Sequence, residues 1–180
     1  MKFEIENQKL FIEKAYIGGQ WVNADDGSTI DVINPVNQEI IGHVPNCGAQ
    51  ETNVAIKAAA VAQKEWRQRP AKEKASVLRS FYDLICSNQN DLARILTYEQ
   101  GKPLAEAAGE IAYSASFIEW FAEEAKRIYG DVIPGHLYDR RTLVIKQPIG
   151  VVASITPWNF PSAMLARKVG PALATGCSLV

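Results

Sequence analysis

The sequence predicts an α/β fold carrying a helical layer, and three observations support that prediction. Short β-type runs broken by Gly and Pro occupy the first third of the chain. Apolar residues at helical spacing occupy the middle. Near the C-terminus two β-branched runs flank one further helical stretch, which is how a β-α-β unit of a parallel sheet reads.

In AYIGGQWVNADDGSTIDVINP, β-type residues surround Gly18-Gly19, and two glycines can take the positive φ angles that a two-residue hairpin turn demands. Asn34-Pro35 marks the next turn, and Glu39 to Val44 predicts another strand ending at Pro45. The period then changes. Ala55, Ala58, Ala59, Ala62 and Trp66 fall at helical spacing, as do Val77, Leu78, Phe81, Leu84 and Ile85, with Pro70 interrupting between them. A third helix is expected around Leu92, Ile95 and Leu96, with Asn90 as its N-cap and Gly101 as its stop.

The fourth helix, from about 103 to 129, has the clearest pattern: Leu104, Ala108, Ile111, Ala115, Ile118, Ala122 and Ala125 form one apolar stripe. Pro103 suits its first turn. Glu106 and Glu110 near the start and Lys126 and Arg127 near the end all have the sign the macrodipole favours. Phe117, Trp120 and Phe121 are read as core, in preference to an aromatic binding face. DVIPGHLYDRR then reads as a loop, and RTLVIKQPIG as a short strand that Pro148 confines to an edge or an end. Val151 to Ile155 reads as a strand buried on both faces, Phe160 to Ala174 as a helix with Pro161 in its first turn, and Ser178 to Val180 as a second buried strand beginning.

Composition narrows the function classes. A chain of 180 residues with 47% hydrophobic and 22% charged content is what one soluble domain looks like. Nineteen basic against twenty acidic residues give a formal charge of -1, which leaves no cationic surplus for a polyphosphate backbone, so nucleic acid is not an expected partner. The first residues lack the apolar core of a secretory signal and the Arg-rich bias of a transit peptide. Eighteen apolar residues never run together, so no membrane span is expected and the cytoplasm is the default. Cys47, Cys86 and Cys177 are odd in number and match no zinc or redox spacing, so free thiols are expected. His43 and His136 lack metal-ligand spacing and are read as surface or loop residues; no metal is expected.

Neither G-x-G-x-x-G nor G-x-x-x-x-G-K occurs in the chain, so the usual phosphate-binding fingerprints are missing. What stands at the end of the first parallel strand is Thr156-Pro157-Trp158-Asn159-Phe160-Pro161, where open α/β sheets place their ligand crevice. Two prolines restrict the backbone there and leave Asn159 projecting. Its amide is a neutral donor that can point at a developing oxyanion without adding charge to the site. The competing reading is a helix cap for the segment that follows, and position alone leaves both open.

ITPWNFPSAMLARKVGPALATGCSLV resembles the first strand, crevice and first helix of the aldehyde dehydrogenase superfamily. The likeness extends through EQGKPLAEAAGEI, SFIEWFAEEAKRIYGDVIPG and VIKQPIGVVASITPWNFP, from about residue 15 to 180. These segments are similar in particular to succinate-semialdehyde dehydrogenases. The resemblance implies the N-terminal part of a Rossmann-like cofactor domain with a bridging strand arm. Residues 1–132 are then strands and helices of the NAD(P)-binding domain, 133–149 an oligomerisation arm, and 150–180 the first β-α-β of the cofactor sheet. It implies that a cysteine thiolate attacks the aldehyde while Asn159 and the nucleophile's own N–H hold the oxyanion. Hydride passes to NAD or NADP, and a glutamate activates water to release the acid. Ile155, Thr156, Pro157, Trp158 and Asn159 are implied cofactor contacts.

Arg167, eight residues after Asn159, is a little over two helical turns away, and its fork suits a carboxylate. In succinate-semialdehyde dehydrogenases the arginine of this motif contacts the substrate's remote carboxylate, which implies a small carboxylated aldehyde as substrate. Lys168 is expected to point elsewhere. Cys177 matches a structural position and is not the nucleophile. The nucleophilic Cys, the general-base Glu and the lysine for the cofactor ribose are expected beyond residue 180. On that expectation these residues are the N-terminal portion of a homodimeric or homotetrameric enzyme that oxidises succinate semialdehyde, and by themselves catalyse nothing. Three rivals stand beside this: a glutarate-semialdehyde or related dehydrogenase, a noncatalytic interaction module, and a nucleotide-binding regulator.

Overall fold

Gly18 and Gly19 take the left-handed φ angles of 59° and 83°, and the turn they form joins strands β1 (Ala15–Ile17) and β2 (Gln20–Val22) in an antiparallel hairpin. Tyr16 and Trp21 face each other across it with ring centroids 4.9 Å apart. The structure is a computed structural model that describes residues 4–180; the first three residues of the N-terminal segment lie outside it. A second antiparallel pair follows, β3 (Thr29–Ile33) with β4 (Ile40–Pro45).

Four helices come next: α1 (Ala49–Trp66), α2 (Ala71–Ser87), α3 (Gln89–Gln100) and α4 (Leu104–Glu124), the last running into one 3-10 turn over Ala125–Arg127. Pro70 stands immediately before α2, where a proline costs no helical hydrogen bond. The start of α3 differs from expectation. Asn88, not Asn90, precedes it, and the Asn88 amide donates back to the Leu84 carbonyl of α2. One residue closes α2 and opens α3, leaving Asn90 inside the helix. Gly101, at φ 79°, ends α3 as expected. Pro103 precedes α4 instead of lying in its first turn.

Helix α4 is the centre of the helical layer, packed against α2, α3 and α5 (Pro161–Thr175). Its Ile118 and Ala122 meet Ala75 and Leu78 of α2 and Ala166 and Val169 of α5. Its Ala107 and Ile111 meet Ala93 and Leu96 of α3. So many alanines at these contacts let the helix backbones approach closely. The aromatic residues divide. Phe117 and Phe121 pack against the core, whereas Trp120 is 63% exposed, and so is corrected from core to surface. Three helices cover α4 on separate sides and leave its remaining flank, with Trp120, uncovered.

The stretch read as a loop after α4 contains a strand: β5 (Asp131–Pro134) pairs antiparallel with β6 (Arg141–Val144), and only the residues between them loop. Every residue of both strands is exposed. Strand β7 (Val151–Val152) pairs parallel with β8 (Ser178–Leu179) across α5, which completes the expected β-α-β unit. The expectation of burial on both faces through Ile155 is corrected. Both β7 residues are half-buried, and Ile155 is 84% exposed because the strand paired with β8 ends at Val152. No helix of the described residues is long and apolar enough to cross a membrane.

Candidate functional site

The chain leaves β7 through Ser154, whose N–H still donates to the Val180 carbonyl, and then runs over residues 155–160 to the start of α5. Here the competing readings of Asn159 separate. Phe160 holds the N-cap position of α5, and no side chain of the segment caps that helix. The exposed Asn159 amide makes no hydrogen bond among the described residues, so it remains a free donor in the segment that joins β7 to α5.

The cap comes from elsewhere. Glu110, on α4, accepts from the Ser162 N–H at 3.0 Å and the Ala163 N–H at 3.3 Å through one carboxylate oxygen. Its other oxygen lies 2.6 Å from the Lys102 ammonium, and the two side chains are 1% and 8% exposed respectively. Lys102 Nζ also donates to the Asn159 carbonyl at 3.0 Å and sits 4.0 Å from the centroid of the Phe160 ring. Ser114, one turn beyond Glu110, donates to the Ser162 carbonyl and accepts from the Ser162 hydroxyl. Sequence reasoning assigned Glu110 only to the macrodipole and passed over Lys102. A usable signal existed: Glu110 and Ser114 lie at i and i+4 beside the apolar stripe, where a carboxylate needs a partner across the helix interface.

Arg167 points toward α4. Its guanidinium donates to the Tyr113 hydroxyl and lies 4.7 Å from the Phe117 ring centroid and 5.3 Å from that of Tyr113. The side chain is exposed, and no hydrogen bond joins it to Asn159. Lys168, expected to point elsewhere than Arg167, donates its ammonium to the Ile155 carbonyl at 2.7 Å and so holds the start of the segment that leads to Asn159.

Ile155 and Trp158, at 84% and 80% exposed, present an apolar surface at the strand end, with Thr156 and Pro157 between them. Such a surface, beside a neutral amide donor, fits the nicotinamide side of a dinucleotide. The start of α5 fits a pyrophosphate poorly, because Glu110 already places a carboxylate where an anion would otherwise bind.

Cys177 is buried and its sulfur contacts the Thr175 hydroxyl, Cys86 is exposed on α2, and Cys47 lies near the start of α1. Burial raises the Cys47 thiol above its ordinary value, and Glu51, Asp25 and Asp26 add to the rise, which disfavours the nucleophilic thiolate. All three are free, and among the described residues no group of three His, Cys, Asp or Glu could hold a metal ion.

The sequence and the fold are similar to those of known proteins. The chain is 63% identical to the glutarate-semialdehyde dehydrogenase of Pseudomonas aeruginosa over 177 residues, which is 98% of this chain and 37% of that protein. It is 59% identical over the same span to the NADP(+) succinate-semialdehyde dehydrogenase of Escherichia coli, again 98% of this chain and 37% of that one. The solved structure of succinate-semialdehyde dehydrogenase from Burkholderia pseudomallei superposes with a TM-score of 0.96 at 56% identity, covering 98% of this chain and 37% of that chain. The chain therefore spans little more than a third of the length of these relatives. Residues 21–180 match the profile of the Aldehyde dehydrogenase family, and the chain belongs to that family.

Proposed function

We propose that the protein to which these residues belong oxidises succinate semialdehyde to succinate with NAD or NADP. The observation that carries the reading is the Asn159 amide, exposed and unbonded between β7 and α5 while its backbone is held. When the nucleophile adds to the aldehyde, the carbonyl oxygen gains negative charge. A neutral donor already in place stabilises that charge with little reorganisation. The bound nicotinamide supplies the hydride acceptor, and Ile155, Thr156, Pro157 and Trp158 are its side of the crevice. Cys177 is buried, Cys86 lies on α2 and the Cys47 thiol is raised above its ordinary value, so we assign the nucleophile to another part of the enzyme and expect these 180 residues alone to turn over no aldehyde.

Arg167 is the residue we assign to the substrate's remote carboxylate. Its guanidinium is oriented by Tyr113 and Phe117 yet remains exposed, so an anion can reach it. Residues 133–149, which carry most of the exposed β5–β6 hairpin with Leu143 uncovered, are the arm we assign to joining copies of the enzyme. One second reading has its own support: the Pseudomonas aeruginosa relative, at 63% identity, is a glutarate-semialdehyde dehydrogenase. That substrate is longer by one methylene, a difference a site separates by only about 1–3 kcal/mol. The ratio of kcat/KM for the two semialdehydes decides between them.

The test of the main reading is Asn159→Ala in the full-length enzyme, following formation of the reduced cofactor. Turnover is expected to fall about 100- to 1000-fold, the loss for removing one oxyanion donor, while cofactor binding is retained. Turnover within a few-fold of wild type overturns it.

A further inference from the structure

We infer that Lys102 and Glu110 form a positioning pair for Asn159, a role that rests on the oxyanion reading above. An oxyanion donor is useful only if held within roughly half an ångström of its working position. Yet the Asn159 amide has no side-chain partner among the described residues to hold it. Its direction is therefore set by its own backbone, and the backbone is where the pair acts. Lys102 fixes the Asn159 carbonyl at 3.0 Å, while Glu110 fixes the N–H groups of Ser162 and Ala163 at 3.0 and 3.3 Å. Both flanks of the turn are thus tied to one ion pair, 2.6 Å across and almost fully buried. The Phe160 ring, packed against the same ammonium, removes a further freedom from the residue between them.

Stability alone is a weak reason for such a pair, since desolvating two charges costs as much as their attraction returns in many proteins. What the pair supplies that apolar residues could not is a fixed donor and a fixed acceptor at defined points of a loop. Pro161 has no N–H to offer and already restricts its own φ, and the pair holds the chain on either side of it, at the carbonyl of Asn159 and the first free amides of α5. Lys102 touches neither aldehyde nor cofactor in this account; it acts through Asn159.

The experiment compares Lys102→Met, Lys102→Arg, Asn159→Ala and the double variant Lys102→Met/Asn159→Ala in the full-length enzyme. Lys102→Met is expected to lower kcat about 10- to 100-fold, the scale of a misplaced catalytic group, with both KM values within about threefold of wild type. Lys102→Arg, which keeps a cationic donor, is expected to recover most of the loss. In the Asn159→Ala background Lys102→Met is expected to add no further loss, because the amide it positions is gone. If Lys102→Met leaves Glu110 too unbalanced for folding, as thermal unfolding will show, Lys102→Met/Glu110→Gln removes both charges and is read in the same way. An unchanged kcat, or an equal loss with and without the Asn159 amide, overturns the positioning role while leaving the oxyanion reading intact. Wild-type turnover in Asn159→Ala alone overturns the oxyanion reading, and the positioning role with it.

Discussion

Gly170→Ala and Gly109→Ala make the same chemical change in two helices and should have opposite signs. In a helix interior the change favours folding by about 0.5–1 kcal/mol, because glycine loses more backbone entropy. At Gly109 on α4 a new Cβ meets nothing within 4 Å, so that gain should appear in full. At Gly170 on α5 the Cβ would stand 2.7 Å from Phe121 Cδ2 and 3.2 Å from its Cβ and Cγ. The ring can turn, but the Phe121 Cβ is anchored to α4, so the two helices must separate. Overpacking of this kind costs about 1–3 kcal/mol, which outweighs the propensity gain and leaves Gly170→Ala destabilised by about 1 kcal/mol. Urea unfolding of wild type and both variants, with the slope unchanged, measures the difference. In a Phe121→Ala background, which removes the ring atoms but keeps the Cβ at 3.2 Å, the penalty of Gly170→Ala should shrink without vanishing. A Gly170→Ala protein as stable as wild type would refute the close α4–α5 crossing on which the placement of Arg167, three residues earlier, depends.

Two other outcomes follow from single side chains. The Asp91 carboxylate accepts from the Asn7 N–H at 2.8 Å and the Glu6 N–H at 3.0 Å; these bonds, with Arg94 nearby, hold it below its ordinary value. Its contribution is therefore fully present above the unfolded carboxylate value of roughly 4 and is lost as pH falls from there through the folded value. The stability gap between wild type and Asp91→Asn should close under acid, and a gap unchanged at low pH would count against this. Arg167→Ala in the full-length enzyme should weaken kcat/KM for a carboxylated aldehyde by about 2–4 kcal/mol and spare an uncharged one. Equal loss on both would sink the carboxylate assignment.

The features legible in sequence were those decided within a turn or two of chain. Gly18-Gly19 encoded the first hairpin, Gly101 the end of α3, and Pro70 the break between α1 and α2. The start of α5 just after Asn159 was equally legible from Pro161, but the length of the strand before it was not, since β7 ends at Val152. The strand Asp131–Pro134 was not, because all its side chains are exposed and its identity comes from pairing with Arg141–Val144. Trp120 was misplaced because helical periodicity marks one buried stripe and does not say how far round a helix its neighbours reach.

What the sequence determined by itself was the order of the helices, the first hairpin, the closing β-α-β unit and the residues that join its first strand to α5, because propensity, turn chemistry and periodicity depend on near neighbours. Only the tertiary structure decided that Glu110 caps α5, that Lys102 grips a carbonyl 57 residues away, and that Arg167 lies on the aromatic rings of α4. A buried charge takes whatever donor or acceptor the opposing surface presents, and that surface exists only once α4 and α5 have packed.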